Sequence, residues 1–245
     1  MSLKPNKTTV FILAAGRGLR MMPLTANTPK PLLNVGELSL IEHHIKRLAS
    51  MGFKEFVINI DYLGDNIKRA VGDGSRWGVH ITYSDEQAYG ALETAGGIQY
   101  ALPLIKSDYF LAVNADIWTD FDFNKLLVEV SESPKISGFS ATIVLVENPE
   151  HNPDGDFYIN NNEQNKLATV QHKNTANPAL TSYTFSGIGL YSKAAFATVA
   201  PGKSALAPLL RQWLDNNTLF GVVFDGQWSD IGTPKRLAEL NHALN

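Results

Sequence analysis

The chain has 245 residues, 44% hydrophobic and 18% charged, which suits one large α/β domain and leaves a second full domain cramped. It has no cysteine, so a disulfide framework and a thiolate metal site are excluded and a reducing cytosol is compatible. A formal net charge of −3 argues against a nucleic-acid partner; no apolar run reaches the length of a membrane span, and the opening MSLKPNKTT lacks the apolar stretch of a signal peptide, so a cytoplasmic protein without a membrane partner is expected.

The apolar β-type run Thr9 to Leu13 predicts the first strand, and LAAGRGLRMMPLTANTPKPL, Leu13 to Leu32, follows from it. Gly16 and Gly18 bring bare backbone N–H groups above the sheet edge, where such nests prefer anionic oxygens. Arg20 adds a planar, permanently charged fork, and Lys30 a point charge stiffened between Pro29 and Pro31. A Gly-x-Gly pair alone is usually only a turn, and Arg20 alone a solvated side chain; together these residues describe a triphosphate cradle. It is neither a dinucleotide fingerprint, whose third glycine is Met21 here, nor a P-loop, since no Gly-Lys-Ser/Thr occurs.

Ser39 and Glu42 then make a capping box, and Ile41, Ile45 and Leu48 recur at helical spacing up to Gly52. EFVINI (Glu55 to Ile60), a short helix around Asp65 to Val71 and HITYS (His80 to Ser84) continue a βαβαβ rhythm, which means a mainly parallel sheet. The Gly-rich segment Ser84 to Gly97 leads into a helix ending near Pro103, whose N-terminus reads equally as an anion or polar-ligand site and as a plain helix start. Strand Tyr109 to Val113 delivers Asn114 and Asp116 at its carboxyl end, where open parallel sheets bind ligands, although an Asp there is more often a turn residue or cap. A crossover helix is predicted over roughly Asn124 to Ser133.

From Phe139 the texture becomes β-rich with long loops, in FSATIVLV, NPEHNPDGDF and TFSGIGLYS; Asp156 lies in an Asp-Gly-Asp cluster that is a turn former first. A helix around Ala207 to Asp215 and a strand Leu219 to Phe224 follow. Thr233 then caps the last helix with Pro234 at its first position, and Asp230 stands just before it. Asp116 and Asp230 are far apart in sequence, and with a phosphate loop they suit a hard cation such as Mg²⁺.

Leu13 to Leu32 resembles the signature of the sugar-1-phosphate nucleotidylyltransferases, which join a nucleoside triphosphate to a sugar 1-phosphate and release pyrophosphate. Ala91-Leu92-Glu93-Thr94-Ala95-Gly96-Gly97 is similar to that family's Pro-Leu-Gly-Thr-Ala-Gly-like segment, with Glu93 where glycine is usual; VNAD at Val113 and WSDIGTP at Trp228 resemble its two metal-ligand motifs. The resemblance implies a Rossmann-like, doubly wound, mainly parallel (mixed) sheet of nucleotide-diphospho-sugar transferase type with a small β-rich sugar-binding lobe. It implies a single domain, with 9–135 serving the nucleotide, 139–232 the sugar, and 233–245 forming the C-terminal helix. Within the family the chain is similar, over nearly its whole length, to the short uridylyltransferases acting on N-acetylmuramic acid 1-phosphate in cell-wall sugar recycling. DGSRWG at Asp73, LETAGG at Leu92, VNADIWTDFDF at Val113, NPDGDF at Asn152 and FSGIGLYS at Phe185 carry that likeness. It departs in a longer loop at Gln87 to Gly90, and in His172-Lys173 where many relatives place Glu-Lys.

Carried over by residue, the resemblance implies a nucleotide, UTP first, on Ala14, Ala15, Gly16, Gly18, Leu19, Arg20 and Lys30, with Glu86 or Gly90 near the base. It implies a sugar 1-phosphate at Glu93, Thr94, Gly97, Asn114, Asp156 and Gly187, and Mg²⁺ on Asp116 and Asp230. Lys173 joins the sugar residues, and with His172 and His151 offers positive or donor groups for the lactyl carboxylate. Arg20 is expected to hold the leaving pyrophosphate and Lys30 to neutralise the α-phosphate and the incoming phosphate, both in catalytic roles. Mannose-1-phosphate guanylyltransferase and glucose-1-phosphate nucleotidylyltransferase are the enzymatic alternatives. A non-catalytic sugar-nucleotide-binding regulatory module is the third, although it has little reason to keep Arg20, Lys30, Asp116 and Asp230 together. Small-molecule substrates and a monomer are expected.

Overall fold

The computed structural model describes residues 3–133, 138–160, 162, 167–172 and 177–244. The first half alternates strand and helix. β1 (Thr9–Leu13) runs into the long loop, which ends in the hairpin β2 (Asn34–Val35) and β3 (Leu38–Ser39). The Ser39/Glu42 capping box is in place and starts α1 (Leu40–Ser50). β4 (Glu55–Ile60), α2 (Gly64–Val71), β5 (His80–Asp85) and α3 (Glu93–Ala101) lead to β6 (Tyr109–Asn114), then β7 (Ile117–Thr119) and α4 (Phe123–Glu132). The second half comprises β8 (Ala141–Val146), β9 (Phe157–Asn160), β10 (Ala168–Thr169), β11 (Leu180–Ser192) and α5 (Lys193–Phe196). It closes with α6 (Leu206–Asp215), β12 (Leu219–Val223), β13 (Trp228–Asp230) and α7 (Pro234–Ala243), whose Thr233 cap accepts from the Arg236 N–H. Limits differ from the predicted ones by a residue or two at most elements, as helix and strand ends commonly do.

The main sheet runs β10-β12-β8-β11-β6-β1-β4-β5, and β9 pairs with β11 off that path. β6, β1, β4 and β5 are parallel, while β11 is antiparallel to both β6 and β8. Strands buried on both faces should alternate between two cores, and β1 does so: Val10 and Ile12 pack with α1, α2 and α4, whereas Phe11 packs with α3, α5 and α6. Most of the β-rich second half is therefore an extension of this sheet. What projects from it is β9, joined to residues 180–183 of β11 beyond a register shift between Phe185 and Gly189.

β4 and β6 flank β1 on opposite sides, so the strand order reverses at β1 and a crevice opens at its carboxyl end. α3 is fixed beside that crevice by backbone bonds to the segment before α6. The Ala95 and Gly96 N–H groups donate to Ser204 O, both at 3.0 Å, and Ser204 N–H donates to Leu92 O at 2.9 Å. A Cβ on Gly96 would lie 2.2 Å from Gly202 O. Gly96→Ala is therefore expected to cost about 1–3 kcal/mol and lower the thermal midpoint by roughly 3–10 °C. A melting curve that superimposes on the parent would remove this contact as a constraint on α3.

Candidate active site

The loop after β1 lines a cleft of ≈ 470 Å³, and Ala14, Ala15, Gly16, Gly18, Leu19, Arg20 and Lys30 all border it, joined by Glu86, Glu93, Thr94, Asn114 and Asp116 from other elements. The backbone turns at Gly18, whose φ of +63° is open to glycine and strained for other residues. Lys30 begins a 3₁₀ turn between its two prolines and is only 7% exposed, so its ammonium is directed into the cleft. There its Nζ meets an Asp116 carboxylate oxygen at 2.5 Å. Arg17 and Arg20 stand exposed at the rim without a partner among the described residues.

A buried hydrogen-bond relay fixes the cleft's two sides. Ala14 N–H donates to Asn59 Oδ1 at 2.8 Å, Asn59 Nδ2 donates to Glu86 Oε1 at 2.7 Å, and Leu92 N–H donates to Glu86 Oε2 at 2.9 Å. Burial raises the Glu86 pKa, opposed by the hydrogen bonds from Leu92 and Asn59. Both Glu86 oxygens are thus engaged by the protein, and the side chain braces the cleft as well as lining it. Asn59, the polar member of the relay on β4, was not singled out from the sequence; its one signal there is a polar residue near the end of an apolar strand.

Asp116 and Asp230 are brought close by the short β7/β13 ladder, in which Ile231 N–H donates to Asp116 O at 2.8 Å. Their carboxylates face different neighbours. Asp116 holds Lys30, while Asp230 is paired with Arg236 and lies 3.0 Å from His151 Nε2. Gly232 borders the cleft, and a Cβ there would meet the Arg236 guanidinium at 2.2 Å before Asp230 Oδ2 at 3.1 Å; Asp230 itself borders a separate cavity with His151 and Arg236. Both aspartates offer carboxylate oxygens, the donor type a hard divalent cation takes, and a cation shared by them would have to displace Lys30 and Arg236 from those oxygens. No cluster of three or more His, Cys, Asp or Glu competes among the described residues. The backbone behind Asp116 is held by His44, whose Nε2–H donates to Ile117 O at 2.8 Å. Full burial lowers its pKa from 6.5 to about 4 against the raising effect of that bond.

Glu93, Thr94 and Asn114 also border a second cavity of ≈ 800 Å³, so the two spaces meet at these residues. Asp156 lies on the second, accepting from Phe185 N–H at 2.8 Å and from the Asn152 amide at 3.2 Å, and His172 lies on it too. Gly97 and Gly187 are backing residues: a Cβ on Gly97 would meet Glu86 at 2.6 Å and one on Gly187 would meet Asn114 at 2.7 Å. Ala91 borders the cleft whereas Gly90 does not. His151 is with Asp230 and Arg236, away from the second cavity, and Lys173 lies outside the described residues.

The family model described as Nucleotidyl transferase matches residues 9–245. The chain belongs to this nucleotidyl transferase family. It is 47% identical over 230 residues to the N-acetylmuramate alpha-1-phosphate uridylyltransferase of Neisseria meningitidis serogroup B, covering 94% of this chain and 95% of that protein. It is 28% identical to a UTP–glucose-1-phosphate uridylyltransferase of Synechocystis, covering 91% of this chain and 59% of that one. Its fold superimposes with a TM-score of 0.77 on a Bacillus anthracis structure in complex with a sucrose, at 23% identity and over 96% of this chain and 94% of the other.

In this family member the unfolded chain takes up a proton at His44 near pH 6.5, which the folded protein refuses until about pH 4. The folded pKa lies below the unfolded one, so stability is lost as the pH falls through that window, by about 3 kcal/mol for this group. His44→Gln keeps a donor for Ile117 O and cannot titrate. Urea unfolding from pH 7 to pH 4 should show a shallower loss in the variant; parallel curves would remove His44 as the cause.

Proposed function

We propose that this chain transfers the uridylyl group of UTP to N-acetylmuramic acid α-1-phosphate, giving the nucleotide sugar and pyrophosphate in cell-wall sugar recycling. The observation that carries the reaction class is the buried Lys30 aimed into the same cleft as Asp116 and the glycine loop, with a second cavity opening at Asn114 and Thr94. The choice of base and sugar is supported by the Neisseria meningitidis relative, matched over nearly the full length of both chains. A cytoplasmic location follows from the nucleoside triphosphate it would consume.

A phosphate oxygen of the sugar 1-phosphate attacks the α-phosphorus of UTP. The bond from that phosphorus to the bridging oxygen breaks, and pyrophosphate leaves with the electron pair. The attacking oxygen is ionised near neutral pH, so no general base is required. The loop N–H groups and Arg20 hold the leaving phosphates, and Lys30 shifts its charge from Asp116 towards the α-phosphate as negative charge spreads there. Asp116 and Asp230 would hold Mg²⁺, which when bound supplies charge neutralisation and alignment of the phosphates. Asn114 and Asp156 orient the sugar phosphate, with Thr94 and Glu93 at the junction of the two spaces.

Pyrophosphate release over a matrix of UTP, GTP and dTTP against four sugar 1-phosphates, those of N-acetylmuramic acid, N-acetylglucosamine, glucose and mannose, tests the reading. The UTP and N-acetylmuramic acid pair should have the highest kcat/KM. A best pair of GTP with mannose 1-phosphate would overturn the sugar assignment, and no release with any pair would favour a binding module.

Lys30→Ala should lower kcat at saturating substrates roughly a hundredfold or more, since its charge matters most as the α-phosphorus is attacked. A change confined to KM would reduce Lys30 to a plain binding residue.

A further inference from the structure

The cavity beyond Asn114 has an unequal distribution of charge. Its acidic groups are already engaged: Glu93 lies 3.4 Å from Lys203 Nζ, and Asp156 accepts from Phe185 N–H and the Asn152 amide. Arg211, on α6, is the one Arg or Lys among the described residues lining this cavity. It is exposed and has no hydrogen bond or ion pair among the described residues. Asp215, one turn further along α6, is the position where an arginine commonly finds a partner, but its carboxylate turns to His172, with Oδ1 2.7 Å from Nε2, and makes no ion pair with Arg211. The guanidinium is therefore left unpaired on a wall that also carries Ala207, Leu210 and Leu214.

We propose that Arg211 is a specificity-determining residue that binds the lactyl carboxylate of N-acetylmuramic acid 1-phosphate. The proposal rests on the sugar assignment made above. The lactyl group is what distinguishes this sugar from N-acetylglucosamine, and it consists of a methyl-bearing carbon and a carboxylate. The wall of α6 offers an apolar surface and a planar fork side by side, and a guanidinium matches a carboxylate in a bidentate geometry that an ammonium cannot reproduce. An acidic chain with net charge −3 has to meet a dianionic phosphate and a carboxylate on one ligand with separate local cations. Lys30 serves the phosphate end, and Arg211 the lactyl end.

The test measures kcat/KM with UTP for N-acetylmuramic acid 1-phosphate, its lactyl amide and N-acetylglucosamine 1-phosphate, in the parent, Arg211→Met and Arg211→Lys enzymes. In the parent, the acid should be preferred to the amide by roughly ten- to a hundredfold, the size of one charge-assisted hydrogen-bonded pair. Arg211→Met should abolish that ratio and Arg211→Lys restore part of it. Removing the guanidinium and removing the carboxylate delete the same interaction, so the two losses should not multiply. An undiminished acid-to-amide ratio in Arg211→Met overturns the role of Arg211 while leaving the sugar assignment standing. A parent enzyme that prefers N-acetylglucosamine 1-phosphate overturns the sugar assignment itself. If melting shows Arg211→Met to be unfolded, Arg211→Gln is read by the same ratio.

Discussion

A buried amide and carboxylate, Asn59 and Glu86, hold the two sides of the cleft in register. Asn59 sits on β4 and reaches the first residue beyond β1; Glu86 follows β5 and reaches the residue that opens α3. Four chain segments are tied through two side chains, and each bond satisfies a group that would otherwise be buried without a partner. Deleting either member would strand an N–H at the base of the phosphate loop or at the start of α3, a loss of about 1–3 kcal/mol before any effect on the ligand. The adjacent glycines of α3 follow from the same constraint. Gly97 leaves room for Glu86 on one side, and Gly96 leaves room for the 202–204 segment on the other.

Around that frame, charge is arranged so that cations and carboxylates already face each other. Lys30 holds Asp116, and Arg236 with His151 attends Asp230. A buried lysine ammonium without its aspartate would carry an uncompensated desolvation cost, which the Asp116 carboxylate at 2.5 Å offsets. Arg17 and Arg20, exposed at the rim, carry charge that no described residue neutralises.

The parts of this organisation legible in the sequence are those set by local rules. The apolar run of β1, the Ser39/Glu42 capping box, the Thr233-Pro234 helix start, and Asn114 and Asp116 past a strand end each depend on neighbours a few residues away. The relay was not legible, because Asn59 and Glu86 are separated by 27 residues and an asparagine near the end of a strand has many uses. The freedom of Arg211 was hidden for the same reason: Asp215, the partner position on its own helix, turns instead to His172, 43 residues away. The small β-rich lobe was expected as part of one domain, but not how it joins the sheet: residues 184–192 of β11 pair with β6 and β8, and beyond a register shift the same long strand pairs with β9.

Glu93 is where local strain and substrate chemistry meet. Its φ of +60° is a conformation natural to glycine, which the resembling family segment carries at this place, and a side chain there costs about 1–2 kcal/mol. The residue borders both the phosphate cleft and the cavity beyond it, so the strain is held at their junction. An ionised carboxylate has only acceptors, and Lys203 at 3.4 Å screens it from one side. Any ligand group that meets Glu93 in that passage must therefore donate a hydrogen bond, as a sugar hydroxyl or an acetamido N–H does, and an anionic oxygen placed there would be repelled towards Lys30 on one side or Arg211 on the other.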